Sequence, residues 1–194
     1  MTRDQSYQLV TSMLTNPNLV KHCLAVEAIM VEVCEYLQDK HPELSSQEFD
    51  KEEWGLVGLL HDADYEVTNK DLETHTDVIV GKLQELKESE RLIKGILAHH
   101  SLKKPVRDNL MEKAIYCIDE LAGLITACAL VQPEKKLSSV TVESVMKKFK
   151  QSSFAAGAKR EQIKASEEEL GIPLEEFVRI SLRAMQKISG QLGL

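Results

Sequence analysis

Apolar residues recur along most of the chain at intervals of three and four, the spacing of one helix face, and nowhere in the alternation of a half-buried strand. Residues 4–14 read as a short helix ended by Asn16-Pro17. Pro17 then opens a longer helix to about residue 39, with Asn16 as N-cap and proline at a position whose N–H would have no partner anyway. Its apolar positions Leu24, Ile29, Val31 and Leu37 are interleaved with acids in helical order. After a polar stretch around His41-Pro42-Glu43, Asp50 to Glu53 forms a variant of the capping box. It opens the apolar run Trp54-Gly55-Leu56-Val57-Gly58-Leu59-Leu60-His61-Asp62, in which Trp54, Val57, Leu60 and His61 fall on one stripe.

Residues 64–69 read as a loop, followed by helices over about 70–87 and 89–100. Pro105 breaks the chain, and the most apolar helix spans about 108–131, ended by Gln132-Pro133. Helices near 140–150, 156–170 and 173–190 complete the pattern, with Gly171 as a C-cap signal before Pro173. The expected fold is all-α, with eight or nine helices in a single domain: a core over 1–131 and a helical extension over 132–194 packed on it.

Charge narrows the function classes. A net charge of −7 argues against a general nucleic-acid binder, which would show a basic stripe. The basic runs are local: Lys103-Lys104-Pro105-Val106-Arg107, Lys147-Lys148-Phe149-Lys150 and Lys159-Arg160. They gain meaning only beside an anion site. The longest apolar stretch, 121–131, is too short to span a bilayer, which takes about 20 residues. The first residues, Met1-Thr2-Arg3-Asp4-Gln5, lack the apolar region of a secretory signal. The expectation is a cytoplasmic protein without a membrane partner. Cys23, Cys34, Cys117 and Cys128 form no CxxC pair and sit among apolar helical neighbours, as small hydrophobes do; Cys23, beside His22, keeps an alternative role as a soft ligand.

The candidate chemistry begins at His61-Asp62. An imidazole and a carboxylate at the buried end of an apolar helix need partners, because unpaired buried charge is costly. A divalent metal ion is the best partner, and His22, His75, His99, His100 and Asp119 are further ligands of the right type. Asp119 interrupts an otherwise apolar helix, with the small residues Ala122 and Gly123 one turn on; Glu120 is expected to point elsewhere. Of the six histidines, only His41, in its polar loop, lies outside this set. Nitrogen and oxygen donors without thiolate suit Mn, Fe, Co, Ni or Mg. Seven candidate ligands exceed the need of one ion, and with Asp62 bridging they suit two, a geometry used in phosphoryl transfer.

The order His22, then His61-Asp62, then Asp119, on helices, resembles the HD superfamily of metal-dependent phosphohydrolases over about residues 15–135. His75 and His99 look like the additional histidines of its binuclear branches. The doublet His99-His100 looks like that of the HD-GYP cyclic-dinucleotide phosphodiesterases, although Ser101 to Pro105 stand where that branch has its triplet. Ala63-Asp64-Tyr65 stand where a lysine often follows the HD pair. The resemblance implies an HD-domain-like helical bundle that hydrolyses a phosphoester, such as a nucleotide or related small molecule, by attack of a metal-bound hydroxide. It implies a first ion on His22, His61, Asp62 and Asp119, and a second on Asp62, His75, His99 and His100. Asp62 and Asp64 are the expected catalytic acids, with helix capping as the alternative for Asp64. Lys103, Lys104 and Arg107 are the first choice for substrate phosphate contacts, ahead of Lys147, Lys148, Lys159 and Arg160. The rival readings are a di-iron oxygenase of the inositol-oxygenase type and a non-catalytic, metal-stabilised scaffold or sensor. Oligomerisation stays open.

Overall fold

A computed structural model describes residues 1–100, 102–103 and 105–194. Among them there is no strand, and no helix is long and apolar enough to cross a membrane. Eleven α-helices follow one another among the described residues: α1 (Arg3–Met13), α2 (Pro17–Lys40), α3 (Lys51–Leu60), α4 (Asp77–Glu85), α5 (Glu90–Ala98), α6 (Leu110–Leu130), α7 (Val142–Phe149), α8 (Arg160–Lys164), α9 (Ser166–Glu169), α10 (Leu174–Lys187) and α11 (Ser189–Leu192).

The caps read from the sequence form locally. Asn16 accepts the amide of Asn18 ahead of Pro17, and Asp50 accepts those of Glu52 and Glu53. The longest helices form the frame. α2 packs on α3, α6 and α10, while α5 packs on both α3 and α6. Their inward faces are fully buried: Val26, Ile29, Met30 and Val33 from α2, Trp54, Val57 and Leu60 from α3, Ile115, Ile118 and Leu121 from α6. The extension packs on the same frame. Val145, Ile163, Phe177 and Val178 belong to the same buried cluster as the residues of α2, α3 and α6. All four cysteines are free and buried.

α2 and α3 approach closely because α3 is bare at the crossing. A Cβ on Gly58 would lie 2.8 Å from the backbone nitrogen and Cα of Glu27. Backbone cannot yield as a flexible side chain can, so the residue there has to lack a side chain.

Two expectations are corrected. The expected helix over 70–87 starts only at Asp77, which leaves His75 in the preceding turn. Residues 70–76 offer one apolar side chain, Leu72, and it stays half exposed, so no buried stripe sustains a helix there. Thr76 takes a left-handed conformation (φ 76°), and its side chain does not cap α4. The helix expected over 156–170 is split into α8 and α9 and begins four residues late, since residues 151–158 form a turn-rich loop with Ala155 at φ 45°. Gly171, at φ 65°, stands where the C-cap signal put it.

Glycine substitutions test this packing. Gly58→Ala is expected to cost about 3 kcal/mol, the upper range for overpacking, which lowers Tm by roughly 6–12 °C in a chain of this size. Gly81→Ala, inside α4 with no atom within 4 Å of the added Cβ, is expected to stabilise by up to about 1 kcal/mol through helix propensity. Thermal unfolding of both variants checks the pair; equal Tm values would refute the close crossing.

Candidate metal centre

Each site residue is delivered by the end or the face of a helix. His22 comes from the second turn of α2 and Asp119 from the middle of α6. His61 and His99 are the C-cap residues of α3 and α5. Asp62 and Asp64 follow α3, and His75 lies two residues before α4. His61 and Asp64 are fully buried, and His75 and His99 nearly so.

Three imidazoles are oriented the same way. His61 donates Nδ1–H to the Gly58 carbonyl (2.8 Å), His99 to the Ile96 carbonyl (2.6 Å), and His75 to the Asp64 carboxylate (2.8 Å). Each Nε2 is thereby left as the electron-pair donor, and all three face Asp62. Asp62 Oδ2 lies 3.6 Å from His61 Nε2 and 3.8 Å from His22 Nε2. Its other oxygen, Oδ1, lies 3.1 Å from His75 Nε2 and 3.6 Å from His99 Nε2. Asp119 Oδ1 closes the first group, 2.9 Å from His22 and 3.6 Å from His61.

The donors therefore fall into two groups that share Asp62: His22, His61 and Asp62, and Asp62, His75 and His99. A divalent ion fits both. Ligands in neighbouring positions around an ion, with bonds of about 2.1 Å, are about 3 Å apart, and the separations within each group are close to that. The buried Nε2 of His61 has no hydrogen-bond partner. The Nε2 atoms of His75 and His99 face each other at 2.9 Å, a contact that is repulsive unless a proton or a cation lies between them.

The protonation pattern follows from this crowding. Burial opposes charge on His61, but Asp62 and Asp119 outweigh it and raise the imidazole to about 9. His75 reaches about 9 against the same desolvation, through Asp62 and Asp64. His99 drops to about 4, chiefly because burial disfavours its charged form and then because His61 is cationic nearby. Desolvation works against ionised Asp62 and Asp119, yet the surrounding histidines hold both below the usual carboxylate range. Without metal, protons supply the positive charge.

The remaining sequence candidates are placed differently. Asp64 has no free oxygen edge: Oδ1 accepts from His75 and the Thr76 amide, and Oδ2 accepts from the amides of Val78 and Ile79. It caps α4 and orients His75 at once. His100 stands apart from the donor groups. Its Nε2 donates to the Leu72 carbonyl, and its Nδ1 accepts the amides of Leu102 and Lys103. Lys103 bonds the His75 carbonyl and Asp77, while Arg107 bonds the Ala98 carbonyl with its guanidinium 3.5 Å from the Tyr116 ring centre. Neither lines the cleft over the site. Lys104 lies outside the described residues. Glu120 turns toward the extension and accepts the Lys159 amide. His41 pairs with Glu43 away from the site.

A cleft of about 170 Å³ opens over Asp62, His75, His99 and Asp119, with Tyr65 and Lys159 in its walls. Tyr65 was legible only as a residue of the turn after the HD pair. Lys159 is far away in sequence and carried no stronger signal than other short basic runs. A second groove of about 370 Å³ borders His22 and runs past Asn18, Lys21, Gly123 and Thr126 between α2 and α6.

Among known proteins, the family model described as HD domain matches residues 19–128, more than half of the chain and every donor named above. No curated protein and no solved structure matches the chain.

Metal loading is expected to release protons. His61 and His75, protonated below about 9, have to give them up to a metal, whereas His99, at about 4, has none to give at neutral pH. Mn²⁺ or Co²⁺ uptake at pH 7 should therefore release about two protons per chain at full occupancy, and affinity should rise between pH 7 and 9. Titration calorimetry in buffers of different ionisation enthalpy measures this. No proton release, or affinity independent of pH, would contradict the assignment.

Proposed function

The chain belongs to the HD-domain family, whose members are mostly metal-dependent hydrolases, and on that premise we propose that it is a phosphohydrolase acting on a nucleotide or a related phosphorylated small molecule. The observation that carries this reading is the shared carboxylate: one Asp62 oxygen faces His22 and His61, the other His75 and His99. His22, His61, Asp62 and Asp119 would hold one divalent ion and Asp62, His75 and His99 a second, and such a pair would supply positive charge for the oxygens of a phosphoryl transfer. Asp119 completes the first group. His100, with both nitrogens bonded to backbone groups, is not proposed as a ligand.

When bound, divalent ions of the Mn, Fe, Co, Ni or Mg type supply a water that ionises near neutral pH and positive charge against the phosphoryl oxygens. The chain's own residues do the rest. Asp62 holds the two donor groups at a fixed separation. Asp64 keeps the His75 Nδ1–H engaged, so that Nε2 stays the donor, and it acts as a positioning residue rather than a proton acceptor. Burial, with Asp62 and Asp119 nearby, raises the Tyr65 phenol above its ordinary value; it stays protonated and can donate a hydrogen bond to a substrate oxygen. The cleft over Asp62 has room for a phosphoryl group. The larger groove beside His22 offers polar and apolar wall for the organic part, which supports a substrate of nucleotide size.

The test is phosphate release from a panel of nucleotides and simple phosphoesters by protein loaded with Mn²⁺ or Co²⁺. Asp62→Ala is expected to abolish activity and metal retention together, since it removes the shared donor; His41→Ala should change neither. Equal rates for the two variants would show the site to be misassigned. Oxygen consumption without phosphate release would favour the oxygenase reading instead.

A further inference from the structure

One nitrogen of the donor histidines has no partner. His61, His75 and His99 each donate Nδ1–H to an oxygen of the chain, as histidines that bind metal through Nε2 almost always do. His22 turns its Nε2 to Asp119, but among the described residues its Nδ1 has no hydrogen bond. That nitrogen is not sealed from solvent, and the side chain is 21% exposed. His22 lines the groove of about 370 Å³ between α2 and α6 and not the cleft over Asp62. An acceptor for Nδ1–H therefore enters through the groove.

The walls of that groove offer donors. Lys21, the residue before His22, is partly buried, a costly place for an ammonium without a partner. Among the described residues it has neither a hydrogen bond nor an ion pair. Its Nζ lies 2.9 Å from where a Cβ on Gly193 would stand, so the left-handed glycine at that turn (φ 69°) leaves the ammonium its place. Thr126, partly buried on α6, does not turn its hydroxyl back to a carbonyl of its own helix, the usual bond of a helical threonine. The Asn18 amide side chain also has no partner among the described residues. The rest of the wall is glycine and leucine, with no aspartate or glutamate. An ammonium, an amide, a hydroxyl and an imidazole N–H around one space are the complement of an anion.

The groove is continuous with the donor cluster. Asp119, Gly123 and Thr126 fall on one stripe of α6, and the step from 119 to 126 is roughly 10 Å along the helix axis. A Cβ on Gly123 would have no atom within 4 Å, so the path away from Asp119 runs over bare backbone. A small molecule with one anionic group at the metal donors and a second a few ångströms away reaches both.

We propose that this groove binds a second anionic group of the substrate, with Lys21 as its cation and His22 Nδ1–H, Asn18 and Thr126 as the donors beside it. The substrate class is then a phosphorylated small molecule that carries a further phosphate or carboxylate. The assignment rests on the phosphohydrolase reading for what happens at the metal donors, but it is tested by binding. The probes are butylphosphonate and butane bisphosphonate, which has a phosphonate at each end; neither can be hydrolysed. Each is titrated by calorimetry into the whole chain loaded with Mn²⁺, with metal content measured for every variant. The bisphosphonate is expected to bind about tenfold tighter than the monophosphonate, the contribution of one charge-assisted contact. In Lys21→Met, which keeps the apolar stem, that preference should fall to the statistical factor of two equal ends, with metal content and monophosphonate affinity unchanged. Lys21→Arg should retain the preference. Lys82→Met, at an exposed lysine of α4, should match the wild type. No preference in the wild type, or a preference unchanged in Lys21→Met, overturns the assignment. Equal weakening of both probes in Lys21→Met overturns it too, because Lys21 would then serve the group at the metal donors. A preference that depends on Lys21, in a protein that releases phosphate from no phosphoester, would leave the groove standing and remove the hydrolase reading. Phosphate release without any such preference would do the reverse.

Discussion

Two partly buried carboxylates crowded among histidines are the constraint on which the rest of this structure depends. Asp62 and Asp119 both approach His61 and His22 within 3.8 Å, where water reaches them only from the side of the cleft. Such a cluster is strongly unfavourable unless positive charge is built in. Raised to about 9 by the carboxylates around them, His61 and His75 fill that role with protons in the bare chain, and the donor set has the composition that suits a divalent ion. The frame is arranged to keep the cluster from relaxing. α3 is locked against α2 through bare glycine, and the carbonyl of that same residue, Gly58, holds the His61 ring in place. Packing and ligand orientation are therefore one feature at this point of the chain.

Asp64 extends the logic one layer outward. It is fully buried and accepts four hydrogen bonds, three of them from amides at the start of α4. A carboxylate there is favoured by the helix dipole and by the unpaired N–H groups of the first turn. The bond to His75 connects that gain to the metal groups. His75 is thus oriented by a helix to which it does not belong, which is how a turn residue achieves the fixed geometry otherwise found on regular elements.

Much of this was legible in the sequence, and the reason is periodicity. His22, His61 and Asp119 sit on apolar stripes, where a polar residue stands out and its direction follows from its neighbours. The Asn16-Pro17 and Asp50 starts were equally readable, because a cap is a local interaction. His75 was recognised as a candidate but assigned to a helix, since nothing local announces that a carboxylate eleven residues away will start α4 late. His100 is the same residue type as its neighbour His99; only the fold shows that the Leu72 carbonyl and two amides take its nitrogens. The basic residues were ranked by distance along the chain from the histidines. That is a poor guide once a turn swings Arg107 over Tyr116 and another segment brings Lys159 into the cleft.

One helix explains why the extension is not an independent appendage. Successive residues on α6 point about 100° apart, so Asp119 enters the donor cluster while Glu120 faces outward to the Lys159 amide. One and two turns further, Gly123 and Thr126 line the groove beside His22. On its buried face, Leu124, Ile125 and Ala129 are covered within the cluster that includes Ile163 and Phe177 of the extension. The place of Asp119 in the cluster, the Glu120 anchor of the Lys159 backbone and the second groove are therefore set by the register of a single rigid element. A shift of α6 along its axis would displace all three together. The geometry of the donor cluster and the docking of the extension are in this way bound to the same coordinate.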